Sequence, residues 1–105
     1  MGLAEFIQSP VKNQHVYHPE FALLYVRKSN RYIRGEWYRG VFDIAAVEAI
    51  EPGQGAFGRL LTELFGLWVG PIYVECVQTP RFAKYLLRHN FVIADGADCY
   101  ILLRG

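Results

Sequence analysis

Apolar positions recur along the chain with two different periods, and the change of period marks the predicted elements. From Phe21 the segment FALLYVRK is rich in aromatic and branched residues, Ser29-Asn30 supplies turn chemistry, and RYIRGEWYRG continues in strand fashion. These segments predict an antiparallel hairpin. The stretch Val41 to Ile50 is nearly all apolar, interrupted by Asp43 and Glu48, as expected of a central strand covered on both faces. In GQGAFGRLLTELFGLW, Phe57, Leu60, Leu61, Leu64, Phe65 and Trp68 follow the helical i, i+3, i+4, i+7, i+8 rule. Gly70-Pro71 ends that helix, and IYVECV reads as a short buried strand.

Thr79 has the chemistry of an N-cap and Pro80 suits the first helical position, with Phe82, Tyr85, Leu86 and His89 along one face of a second helix. Asn90 is suited to the left-handed conformation that stops a helix. FVIA, the turn Asp95-Gly96-Ala97 and DCYILL close the chain as a hairpin. Residues 1–20, with Pro10 and Pro19 and weak periodicity, read as a lead-in without defined structure. Residues 21–105 then form one α/β (α+β) domain, a mixed, mostly antiparallel sheet around a central βαβ crossover.

Composition narrows the class. A chain of 105 residues fits one domain, and 52% hydrophobic with 20% charged residues excludes disordered and collagen-like sequences. The net charge of +1 supplies no global field for nucleic acid or an anionic membrane, so charge arguments must be local. Cys76 and Cys99 sit in apolar runs at no zinc spacing and read as buried reduced thiols. No signal-like N-terminus and no apolar run of about 18 residues is present, which predicts a cytoplasmic protein without a membrane span. His15, His18 and His89 make no metal or triad spacing, so no metal is expected.

The informative motif is GQGAFG, which leads from the central strand into the first long helix. Gly53, Gly55 and Gly58 let the backbone curl, and the free N–H groups of the first helical turn suit phosphate oxygens. Arg59 in that turn has the charge to assist. The motif also reads G-x-G-x-x-G with Glu75 following Gly53 by 22 residues, the spacing of a dinucleotide fingerprint. Glu51-Pro52, the polar Glu48 and the preceding antiparallel hairpin all count against that assignment.

From about Phe21 onward the order of elements resembles the GNAT superfamily of acyl-CoA-dependent N-acyltransferases. EPGQGAFGRLL stands where that family has its glycine-rich turn, IYVECV where it has the following parallel strand, and TPRFAKYLLRHNF where it has the next helix. Pro52 takes the place of the usual Gln or Arg and Phe57 that of the final Gly or Ala, while Thr79 and Asn90 replace Asn and Gly. The resemblance implies that acetyl-CoA or a related acyl-CoA binds along Val47, Ala49 and Ile50 and over Gly53, Gln54, Gly55, Ala56, Phe57, Gly58 and Arg59. It places the thioester between the ends of the two parallel strands and an amine, on a small molecule or a protein, as acceptor. Glu48 is the candidate base, provided that Val47, Ala49 and Ile50 bury it, and Tyr85 is the candidate acid. The family's Tyr position falls on Leu86, and Tyr85 lies about 100° around the helix from it. Strand alternation places Asp43 on the face opposite Glu48.

Two other functions fit the residues. One is a protein-interaction or inhibitor module on the same scaffold, catalytically weak or inactive. The other is a small nucleic-acid binder that uses Arg27, Lys28, Arg31, Arg34 and Arg39 interleaved with Tyr25, Tyr32, Trp37 and Tyr38. A solvated charged face over packed aromatics explains the same spacing, so nucleic acid is not expected as a partner.

Overall fold

A computed structural model describes residues 1–96 and 98–104. Its elements run α1 (Leu3–Gln8), β1 (Asn13–His15), β2 (Phe21–Ile33), β3 (Glu36–Ala49), α2 (Ala56–Leu67), β4 (Ile72–Val74), α3 (Pro80–Arg88), β5 (Val92–Ile93) and β6 (Tyr100–Leu102). Six strands form one open sheet in the order β1-β2-β3-β4-β6-β5. Among the strands of the described residues β3 and β4 are parallel, and the other neighbours are antiparallel. The fold is therefore α+β with a mixed, mostly antiparallel sheet. Among the described residues no helix is long and apolar enough to cross a membrane.

The predicted first hairpin and the predicted central strand are one continuous pair. β2 runs through Ser29-Asn30 without turning, and the reversal comes at Arg34-Gly35, where φ is 51° and 83°. Two successive positive φ values between the paired residues Ile33 and Glu36 make the tight hairpin turn that matches strand twist. Asn30 serves elsewhere: its Oδ1 accepts from Gly40 N at 3.0 Å, where the register shifts and Gly40 takes φ 63°. β3 then carries the rest of the pairing from Val41 to Ala49.

All three helices pack on one side of the sheet. There Phe42 and Ile44 of β3, Ile72 and Val74 of β4 and Leu102 of β6 meet Phe6 of α1, Leu60 and Leu64 of α2 and Leu86 of α3. The opposite side has a smaller apolar cluster, Ile33, Val41, Tyr73, Ala94 and Ile101. Ile33 belongs to the tip of the β2–β3 hairpin, so this arm folds over the sheet and covers the side that has no helix.

The central strand departs from simple alternation. Tyr25 pairs with Ala46 and Val26 with Ile44, which leaves Ala45 as a bulge in β3. Past the bulge, Val47 and Ala49 pack on the helix side with Phe42 and Ile44. Glu48 between them therefore shares the outer side with Asp43, which corrects the opposite-face expectation. Burial on both sides also stops at Ala45, and Glu48 and Ile50 are exposed.

Residues 1–20 are not a loose lead-in. α1 buries Leu3 and Phe6, Val16 joins the same core, and β1 pairs with β2. Tyr17 N donates to Met1 O at 2.9 Å, and Lys28 Nζ from β2 donates to the carbonyls of Phe6 and Ser9 at 2.7 and 2.5 Å, closing the helix end. Desolvation there pulls the Lys28 ammonium below its ordinary pKa. Six residues hold too little periodicity to be read as a helix, and tertiary packing supplies the stability instead.

The second helix follows its sequence signals. Thr79 Oγ1 accepts from Phe82 N at 3.3 Å, Pro80 opens the helix, and Asn90 stops it at φ 72°. Phe91 N donates to Leu86 O at 3.0 Å and Asn90 N to Leu87 O at 3.4 Å, a Schellman closure. β4 is shorter than IYVECV, because Cys76 takes φ 59° and turns the chain away, which leaves Cys76 exposed and Cys99 half-buried rather than both buried as expected. The last hairpin pairs Val92 with Ile101 and Ile93 with Tyr100, and the expected turn residue Ala97 lies outside the described residues. Since Phe6 has no exposed surface, Phe6→Ala should lower the unfolding free energy by about 3–5 kcal/mol in urea titration; a change below about 1 kcal/mol would mean that α1 is not part of the core.

Candidate functional site

The site begins where β3 leaves the sheet. Ile50 N donates to Glu20 O at 2.9 Å, and residues 51–55 then loop over to α2, with Gly53 and Gly55 at φ 83° and 79°. Gly55 is the N-cap in the left-handed region, which costs a residue with a Cβ about 1–2 kcal/mol. No side chain caps the helix, and the first intrahelical bond runs from Arg59 N to Gly55 O at 3.2 Å. The preceding N–H groups are those that an anion would use.

Two guanidinium groups flank this turn. Arg59 folds back over it: Nε donates to both Glu20 oxygens at 2.9 and 3.0 Å, and Nη2 donates to Glu20 and to Gln54 O, the latter at 2.8 Å. That contact holds the Glu20 carboxyl below its ordinary pKa. Arg81, in the first turn of α3, brings Nη2 to 3.6 Å from the place a Cβ on Gly53 would occupy. Its role was not foreseen from the sequence, because only the fold brings the starts of α2 and α3 together. A cavity of about 200 Å³ beside the turn is lined by Pro19, Glu20, Ile50, Glu51, Gln54, Ala56 and Arg59.

α3 packs directly on the first turn of α2. Phe57 meets Phe82 edge-on at 4.8 Å and Tyr85 at 5.9 Å, and Tyr85 stacks on His89 at 4.1 Å. The Tyr85 hydroxyl lies 2.9 Å from where a Cβ on Gly58 would stand, so its tip rests against α2 on the helix side. Glu48 is exposed on the other side of the sheet, without the burial by Val47, Ala49 and Ile50 on which the base assignment depended. The fold therefore does not bring the two proposed catalytic side chains together. It does bring Gly53, Gln54, Gly55, Ala56, Phe57, Gly58 and Arg59 into one turn, with Val47 and Ala49 half-buried on the strand that feeds it.

β3 and β4 part close to this turn. Their ladder covers Phe42–Ile44 against Ile72–Val74, and Glu75 N donates to Ile44 O at 3.0 Å as the last rung. Beyond it Val77 N turns to Asp98 O, and among the described residues Ala46 to Ala49 pair with β2 alone.

A second constellation occupies the outer side of the same strands. Asp43 has no exposed surface, and its Oδ2 accepts from Arg31 Nη2 at 2.5 Å. Glu75 Oε2 accepts from Arg31 at 3.1 Å and Arg27 at 3.4 Å, and the Arg31 guanidinium lies 4.1 Å over the Tyr73 ring. Burial, and then the neighbouring Glu75 carboxylate, push Asp43 up to about 7 against the pull of Arg31. Burial also raises Tyr73 and Cys99 above their ordinary values. One polar residue inside the run Val41 to Ala45 was the available signal that a buried carboxylate needed a partner.

The basic hairpin is largely spent inside the fold. Arg27 and Arg31 hold carboxylates, Lys28 holds α1, and Arg34 Nη1 donates to Ile93 O at 2.9 Å. Of the histidines, His18 accepts from Glu20 N through Nδ1 and meets Glu63 through Nε2 at 3.1 Å. Among the described residues no group of three or more His, Cys, Asp or Glu side chains is placed to hold a metal. No protein-family model, no curated protein and no solved structure matches this chain.

The contact between Tyr85 and Gly58 can be measured. Gly58→Ala should gain roughly 0.5–1 kcal/mol of helix propensity in a Tyr85→Phe background, where the hydroxyl is gone. With Tyr85 present, thermal denaturation should show that gain cancelled; an equal gain in both backgrounds would mean that Tyr85 points elsewhere.

Proposed function

We propose that this protein is a GNAT-like acyl-CoA-binding domain that transfers the acyl group to an amine. The observation that carries the reading is the uncapped start of α2 behind left-handed Gly55, set between the guanidinium groups of Arg59 and Arg81. Its backbone donors suit a pyrophosphate, with Gln54 to Gly58 as the cradle, and Arg59 joins Arg81 in binding it when the phosphate displaces Glu20 from the Arg59 guanidinium. The parting of β3 from β4 supports the same reading, because it leaves the backbone edge along Val47 and Ala49 for the acyl arm, while the Ile50 N–H is taken by Glu20 O.

In the reaction the amine nitrogen attacks the thioester carbonyl, the C–S bond breaks, and coenzyme A leaves as a thiolate that takes up a proton. Although Glu48 lacks the burial first expected of a base, it is the carboxylate next to the divergence, and from the solvent-exposed outer side it takes the proton of the attacking amine. Tyr85 is assigned to packing on α2, which leaves the thiolate to be protonated from solvent.

A second reading, a catalytically inactive interaction module, is favoured by one feature. Tyr32 and Trp37 face each other across the hairpin arm, 67% and 55% exposed.

Calorimetric titration with acetyl-CoA tests the assignment. Wild type should bind, and Arg59→Gln with Arg81→Gln should lose tenfold or more in affinity, about 1.4 kcal/mol. Binding of NADH with indifference to acetyl-CoA would replace the reading by a dinucleotide site. Glu48→Gln should lower the acylation rate of a polyamine by about 100-fold with affinity unchanged. Acetyl-CoA binding without acylation of any polyamine, peptide or small amine would favour the interaction module.

A further inference from the structure

Three buried polar atoms have no hydrogen-bond partner among the described residues: Ser29 Oγ, Arg31 Nε and Asp43 Oδ1. They lie on one side of the sheet. β2 alternates Arg27, Ser29 and Arg31 onto the outer side, β3 sets Asp43 against Arg27, and β4 sets Tyr73 against Asp43. This is the junction between the sheet and the hairpin arm, residues 30–39. The arm is fastened by Arg31 on Asp43 and Glu75, by Arg34 on Ile93 O, and by Ile33 in the outer apolar cluster. At its root the strand register shifts between Ser29 and Arg31, and Gly40 takes φ 63°, with its N–H on Asn30 and its carbonyl on Trp68 Nε1, so the arm's contacts beyond that root are the ones that open.

We propose that the arm is a proton-operated latch, closed over the sheet while one proton is held between Asp43 and Glu75, and opened when that proton leaves. The charge balance at the junction gives the reason. Arg27 and Arg31 reach it from β2, Tyr73 and Glu75 from β4, with Cys99 and Asp95 beyond Tyr73. Arg27 stands 3.4 Å from Glu75 and 3.9 Å from Asp43, but its side chain is 41% exposed and screened by water, so the buried Asp43 depends chiefly on Arg31, which it shares with Glu75. A fully buried carboxylate with one unpartnered oxygen is costly to ionise, whereas a protonated one donates to its neighbour. With the arm lifted, Asp43 regains water and returns toward its ordinary 3.8, from about 7 when covered.

The sign follows from linkage. Between those two values the closed form holds a proton that the open form has lost, so raising the pH favours opening. The opening equilibrium climbs at most about tenfold per pH unit in that window and levels off above it.

Hydrogen–deuterium exchange of the intact protein between pH 5 and 8 tests the latch. Protection factors, corrected for intrinsic exchange, should fall about tenfold per pH unit at arm amides up to about pH 6.5 and flatten by about pH 8. Amides of α2 should not share that slope. Asp43→Asn, whose amide cannot ionise, should remove it. Should that variant not fold, the carbon-13 titration of the Asp43 carboxyl in the wild type decides, with a midpoint near 7 expected. Arm protection that is flat with pH, a slope that survives in Asp43→Asn, or a carboxyl that titrates near 4 would each overturn the proposal.

Discussion

Arg31 reaches from β2 to a carboxylate on the adjacent β3 that has no exposed surface, and this ion pair settles how the sheet is closed. The helices all lie on one side, so the other side needs a cover that the chain can supply only from its own longest hairpin. Ile33 provides apolar area for that purpose, and Asp43, at the centre of the covered surface, requires a cation that arrives with the same arm. Breaking such a buried pair by removing one partner costs about 3–5 kcal/mol, because the remaining charge stays desolvated. The pair thus ties hairpin geometry to sheet burial.

β3 serves both halves of the molecule. Its Phe42 and Ile44 anchor the helix-side core, Asp43 anchors the arm, and the bulge at Ala45 changes which side the following residues face. Past the bulge the strand leaves β4 and feeds the glycine turn, where left-handed Gly55 opens α2 between Arg59 and Arg81. The phosphate-binding chemistry proposed for that turn depends on α3 as much as on the turn itself, since α3 supplies Arg81 and the aromatic packing on Phe57.

The elements legible from sequence were those defined by local chemistry. α2 has an uninterrupted apolar stripe, and α3 has Thr79 and Pro80 at one end and Asn90 at the other, each satisfying backbone groups within a few residues. The hairpin turn was misplaced because Asn30 has turn chemistry but uses its side chain to hold Gly40 N, while Arg34 occupies a positive φ that its type rarely adopts. The bulge at Ala45 left no mark in a run of small apolar residues, so alternation set Glu48 opposite Asp43, whereas the two share one side. Of the candidate site, the glycines and Arg59 were readable as a motif; Arg81 and the Glu20 partner of Arg59 were not, because they come from segments distant along the chain.

A double-mutant cycle on Arg31 and Asp43 tests the central claim most directly. Arg31→Met, Asp43→Asn and the double variant would be compared in urea unfolding at pH 5, where the arm is closed. If the pair fastens the arm, each single change is destabilising, and the double variant recovers about 2 kcal/mol or more relative to their sum. A coupling below about 0.5 kcal/mol would show that the two side chains act independently, and that apolar contacts of Ile33 alone close the outer side of the sheet.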